Sequence, residues 1–157
     1  MTITKTEFYI DGAWVAPVTP ATIEVIDPSD ESVAAIVALG SKADVDRAVA
    51  AARRAFPAWA ETPVAERRAA LERLIAVYEA RLEDMAVAIS AEMGAPIDFS
   101  RRLQAPAGIE ALRNAVVALD RIHFERPLNP DGSGDRILME PIGVCGLITP
   151  WNWPMNQ

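Results

Sequence analysis

The chain has 157 residues, 51% of them hydrophobic and 24% charged, with a formal net charge of −7, which is long enough for a core and too apolar for a disordered chain. That acidity excludes nucleic acid as a partner, because no stripe of Lys and Arg exists to replace phosphate counterions. The one cysteine excludes an internal disulfide. The opening residues lack an apolar core of signal length and no apolar run reaches membrane-spanning length, so a cytoplasmic location without a membrane partner is expected.

In chain order, Phe8 to Ile10 and Trp14-Val15 flank Asp11-Gly12, a strong short signal for a β-hairpin. Two more extended stretches, 22–26 and 33–39, surround Asp27-Pro28, and together these segments read as a small antiparallel layer. Ser41 is a helix cap, followed by Val45, Ala48, Val49, Ala52 and Phe56 at helical spacing. That stripe reads as core, and Pro57 as the helix end. Thr62-Pro63 signals a second start with proline at the first helical position. Leu71, Leu74, Ile75, Tyr78, Leu82, Met85 and Ile89 then mark one face as far as Gly94. About thirty residues is long for a globular helix, so a break is expected near Ala80. A third helical region covers 97–121, disturbed by Pro106.

The basic pairs Arg53-Arg54, Arg67-Arg68 and Arg101-Arg102 lie among acidic residues on helical stretches and read as solvated faces. His123 has no neighbouring Ser, Cys or second His with which to form a catalytic or metal set, so it reads as a helix-end residue; no metal is expected. Residues 127–135 form a polar connector rich in turn formers, after which Ile137 to Met139 is extended again. From Ile142 to Thr149 the chain is apolar and β-branched, with two glycines, which suits a strand buried on both faces of a parallel sheet. Cys145 lies in its middle and reads as a small buried apolar residue, since a thiolate nucleophile needs a basic or helix-terminal setting and access to substrate. Pro150 and Pro154 bracket Trp151, Asn152 and Trp153, giving a stiff loop at the C-terminal end of the strand, where open α/β sheets place their ligands.

The segment from Pro141 to Asn152 resembles the aldehyde dehydrogenase superfamily, whose pattern is Pro-x-Gly-Val-x-Gly, an apolar pair, then Pro-Trp-Asn. Asp27-Pro28 and Glu92-Met93-Gly94-Ala95-Pro96 are similar to further family features. The resemblance covers nearly all of the chain but only the opening part of the family's sequence. It implies an α/β fold of aldehyde-dehydrogenase type, with an amino-terminal helical and β region plus the first strand of an incomplete dinucleotide-binding parallel sheet. The implied division is 1–123 for the amino-terminal part, 124–141 for a connector and possible oligomerisation arm, and 142–157 for the strand and loop. On the residues alone, the arm reads equally well as a surface hairpin.

By the same resemblance, Ile148, Thr149, Pro150 and Trp151 lie along the nicotinamide of NAD or NADP, and the Asn152 amide donates to the oxygen of an aldehyde substrate. Such a donor, fixed before a thiolate attacks the carbonyl, lowers the barrier by about 3–4 kcal/mol. The plainer reading of Asn152 is a turn former capped by its own side chain. Residues 101–109 form one wall of a substrate tunnel or merely pack. The family's cysteine nucleophile, activating glutamate and ribose-binding lysine have no counterpart here, and no Gly-x-Gly-x-x-Gly fingerprint is present, which family members do without. The expectation is therefore the opening portion of an NAD(P)-dependent enzyme that is a homo-oligomer when full length, the 157 residues being inactive alone and exposing Val144, Leu147, Ile148 and both tryptophans. The alternatives are a truncated chain that docks onto a full-length relative and an independent helical interaction module.

Overall fold

Asp11 and Gly12 both take positive φ, 57° and 79°, the backbone that a two-residue hairpin turn needs and that Asp and Gly tolerate best. They join β2 (Phe8–Ile10) to β3 (Ala13–Val15). Tyr9 pairs directly with Trp14, and the two rings meet edge to face with centroids 5.3 Å apart, a cross-strand aromatic pair that fixes the register. The computed structural model describes residues 3–130 and 132–157; Met1, Thr2 and Asp131 of the connector lie outside them. The chain divides into two compact units, Met1–Ala60 with Ile142–Val144, and Glu61–Pro141 with Cys145–Gln157.

In the first unit, β4 (Thr22–Ile26) and β5 (Val33–Ala38) pair antiparallel across the Asp27-Pro28 turn. The Asp27 carboxylate accepts from the Ser29 N–H at 2.8 Å, as Asp commonly does in turns. The layer is mixed rather than purely antiparallel, because β1 (Ile3–Lys5) adds to the far edge of β5 in parallel, Ile3 opposite Ala35. α1 (Lys42–Ala60) follows. Its apolar stripe departs from the core expectation: Val45 and Val49 are 57% and 43% exposed, whereas Asp44 and Ala51 are the buried positions. Helical spacing identifies a face; it does not identify what covers it. The helix also continues past Pro57 to Ala60. So close to the C-terminal end the missing N–H removes one intrahelical bond without breaking several turns.

Ser41 caps α1 as part of a reciprocal arrangement. Its N–H and Oγ–H donate to Asp44 Oδ2 at 2.9 and 2.7 Å, and the Asp44 N–H donates back to Ser41 Oγ at 3.4 Å, a capping box with Asp in place of Glu. The Val18 N–H donates to Asp44 Oδ1 at 2.8 Å, tying the loop before β4 to the helix start. The Ser41 side-chain and main-chain hydrogen bonds, then the one from Val18, hold the Asp44 carboxyl below its ordinary value. A carboxyl lowered in the folded state contributes stability above its unfolded pKa and loses it as pH falls through the folded pKa. Thermal unfolding followed over a falling pH series should therefore show the first unit weakening below the ordinary carboxylate range. Asp44→Asn should lower the neutral-pH melting temperature and flatten that acid limb; an unaltered limb would show that other carboxyls set it.

In the second unit, α2 (Val64–Ala80) and α3 (Leu82–Met93) are separate helices. The break falls at Arg81, φ −116°, one residue from the expected position, and Gly94 ends α3 in the left-handed conformation at φ 72°. Pro63 stands one residue before the helix, extended at ψ 148°, rather than inside it. The expected face is largely kept: Tyr78 and Ile89 are buried, while Leu74 is 49% exposed. Ala86, Ile89, Ala95 and Ala105 form the core cluster, with Leu82, Met85, Met93 and Met155 packed against it. The third helical region is a composite of α4 (Ile97–Phe99), a π-helical turn at Ser100–Gln104 and α5 (Ala105–Arg121). The Ala105 N–H reaches back five residues to the Ser100 carbonyl. Pro106 explains the widening, since it has no N–H to give Arg102 and its ring crowds that carbonyl.

Of the basic pairs, Arg53-Arg54 and Arg101-Arg102 are exposed while Arg67-Arg68 is half-buried; Arg101 forks onto Glu83 at 2.6 to 3.0 Å and Arg68 joins Glu72 and Asp120. Exposed pairs of this kind contribute little each. His123 lies exposed just past the end of α5. β6 (Glu125–Pro127) and β7 (Arg136–Leu138) pair antiparallel, so the connector is the turn of a hairpin. Among the described residues no helix is long and apolar enough to cross a membrane.

Candidate functional site

Ile142 to Thr149, read from sequence as a buried strand, forms no ladder among the described residues. A parallel strand needs at least one neighbour to pair with, and among the described residues no strand pairs with it. Ile142, Leu147 and Ile148 are accordingly 94%, 86% and 99% exposed, and Cys145 is exposed rather than buried. Burial of that thiol depended on the sheet, so the expectation for Cys145 fails with it. Val144 is half-buried.

Beyond Pro150 the picture changes within a few residues. Trp151 is 80% exposed, whereas Trp153 falls to 36% and meets Phe99 edge to face, centroids 6.0 Å apart. The Asn156 N–H donates to the Trp153 carbonyl at 3.0 Å, closing a turn, and Met155 packs onto the core cluster. Gly108 permits that approach: a Cβ there would lie 2.9 Å from the Met155 carbonyl oxygen and 2.8 Å from Tyr78 Oη. Tyr78 Oη donates to the Ala105 carbonyl at 2.7 Å, fixing the start of α5. Burial pushes the Tyr78 phenol up from its ordinary value, which keeps it a donor.

Asn152 is held by its main chain. Gln104, 2% exposed, donates its side-chain N–H to the Asn152 carbonyl at 3.4 Å. Among the described residues the Asn152 side-chain amide makes no hydrogen bond, and the residue is exposed. The turn-cap reading, which needs the side chain bonded to nearby backbone, therefore has no contact in its favour. Ile148, Thr149, Pro150 and Trp151 are all exposed and contiguous with Asn152. Asp44 and Gln104 were not identified from sequence. The Ser-x-x-Asp spacing at 41–44 was a usable signal for the first; Gln104 had none, since its partner is 48 residues away.

The chain matches the aldehyde dehydrogenase family over residues 14–157. It is 45% identical over 152 residues to a 3-succinoylsemialdehyde-pyridine dehydrogenase of Pseudomonas sp., covering 96% of this chain and 31% of that protein. A crystal structure of the C291A mutant of aldehyde dehydrogenase C from Pseudomonas syringae, complexed with NAD+ and octanal, superposes with a TM-score of 0.89. It is 47% identical, over 96% of this chain and 30% of that one. The Mycobacterium tuberculosis aldehyde dehydrogenase complexed with NAD+ follows at a TM-score of 0.75 and 28% identity, over 87% and 28% of the two chains. The chain thus spans about a third of the length of these relatives. With its fold matched along nearly its whole length and its Pro-Trp-Asn loop seated on the helical unit, the chain belongs to the aldehyde dehydrogenase family.

Proposed function

We propose that this chain supplies the opening portion of an NAD(P)-dependent dehydrogenase that oxidises an aldehyde to a carboxylic acid through a thiohemiacetal and a thioester on a cysteine other than Cys145. The observation that carries this reading is Asn152: main chain tethered, side-chain amide exposed and without a hydrogen bond among the described residues, so a donor stands ready for an oxygen that is not part of the protein. An amide donates without titrating, and a donor positioned before the reaction loses nothing to reorganisation as charge develops on the carbonyl oxygen. Ile148, Thr149, Pro150 and Trp151 fit one wall of a nicotinamide site, being a contiguous, exposed and mainly apolar strip with Pro150 stiffening it. When bound, the dinucleotide accepts hydride from the substrate carbon. The NAD+ and octanal in the Pseudomonas syringae relative support this class of cofactor and substrate.

In functional terms 1–123 is the amino-terminal β-hairpin and helical part of the cofactor-binding region, 124–141 forms a hairpin arm for subunit pairing, and 142–157 carries the donor and cofactor strip. The proposed setting is a cytoplasmic homo-oligomer, and the 157 residues alone are inactive. The test is NAD(P)H formation by the complete gene product on addition of aldehyde, followed by absorbance. Turnover of a panel of aliphatic and aromatic aldehydes is expected, and silence with every member would overturn the reading. A second reading, docking onto a full-length relative without catalysis, draws on the exposed apolar run at Ile142, Leu147, Ile148 and Trp151; it requires a short natural polypeptide that co-purifies with such a relative.

A further inference from the structure

Three residues of the composite rod α4–π–α5 meet the Asn152 loop. Phe99 meets Trp153 edge to face, Gln104 donates to the Asn152 carbonyl, and Gly108 leaves room for the Met155 carbonyl. A regular α-helix turns about 100° per residue, which would set Gln104 about 140° and Gly108 about 180° around the axis from Phe99. The π turn at Ser100–Gln104 absorbs one extra residue, bringing the two back to about 40° and 80° from Phe99, within one face. Without it the rod would not present all three positions to the loop.

Gln104 is the polar member of this set and the least expected inside. It is 2% exposed, beside Ser100 at 0%, and neither Ser100 Oγ nor Gln104 Oε1 has a hydrogen-bond partner among the described residues. Burying an amide with one acceptor unmet costs stability, and an apolar side chain of similar volume would avoid that cost. What Gln104 gains is its one side-chain hydrogen bond among the described residues, from Nε2 to the Asn152 carbonyl, at 3.4 Å.

We propose that Gln104 is a positioning residue. Its buried amide fixes the main chain at Asn152 and so sets the angle at which the Asn152 side chain meets the substrate oxygen, with the π turn as the device that aims it. This rests on the oxyanion role proposed for Asn152, and the test separates the two. Gln104→Met keeps the volume and removes the donor; Gln104→Glu keeps the shape and turns the donor into an acceptor facing a carbonyl. In the complete gene product, amide exchange over 151–156 should quicken by about tenfold, the equivalent of one hydrogen bond. The kcat for aldehyde should fall by a similar factor with KM for the dinucleotide unchanged, a split that general loss of packing would not give. Unchanged exchange in whichever variant folds would overturn the proposal, as would kcat at the wild-type level while Asn152→Ala is impaired. If Asn152→Ala is itself fully active, the oxyanion role fails, and exchange alone decides whether Gln104 holds the loop.

Discussion

Replacing Asn152 by Ala should reduce kcat of the complete gene product by about 10²- to 10³-fold, the loss of one donor worth about 2.7–4 kcal/mol to a developing oxyanion. The loop is tethered through the Asn152 carbonyl, the Trp153 ring and Met155, none of which the substitution touches, so its course should survive. KM for the dinucleotide should stay near wild type, since the strip proposed to face it is 148–151. A pre-steady-state burst separates the steps: thioester formation should slow, whereas its hydrolysis sets a new oxyanion at the same place and should slow as well. Equal acylation rates in the variant and wild type would remove Asn152 from the chemistry.

Gly108→Ala should destabilise the second unit by about 1–3 kcal/mol, the usual range for overpacking a filled site. The added Cβ would lie 2.8 Å from Tyr78 Oη, 3.1 Å from Tyr78 Cζ and 2.9 Å from the Met155 carbonyl oxygen. Tyr78 cannot swing away cheaply, because its hydroxyl is bonded to the Ala105 carbonyl in the core. Met155 contributes backbone, which yields less easily than a side-chain tip. Gly108 needs no unusual φ, so the penalty is one of space alone. Denaturant unfolding should show a lower midpoint with an unchanged slope. A midpoint within error of wild type would mean that the 153–156 turn moves aside freely.

What could be read in advance was local. The Asp11-Gly12 hairpin follows from two residues that tolerate positive φ, and the break at Arg81 from the limit on helix length. Gly94 needs only its own left-handed conformation. What could not be read depends on partners far along the chain. β1 becomes a strand because Ile3 finds Ala35, and the 142–149 run has no ladder among the described residues because β propensity describes a surface that must still be paired. Pro57 and Pro106 show the same proline chemistry with two outcomes, absorbed near one helix end and converted into a π turn near the start of another. In the candidate site, Pro-Trp-Asn was legible as a motif, yet Gln104 was not, since a polar residue on a helix ordinarily faces water.

Among the described residues the ties on the Asn152 loop run to residues 99–108 and to the cluster between α3 and α5, and none of them passes through a sheet. In folding terms, docking of the helices comes first and the loop then closes over the 48 residues that separate Gln104 from Asn152, whereas pairing of a parallel strand is intrinsically slow. The amide would thus be set before the strand that leads to it, and late sheet formation would assemble around a loop already in place.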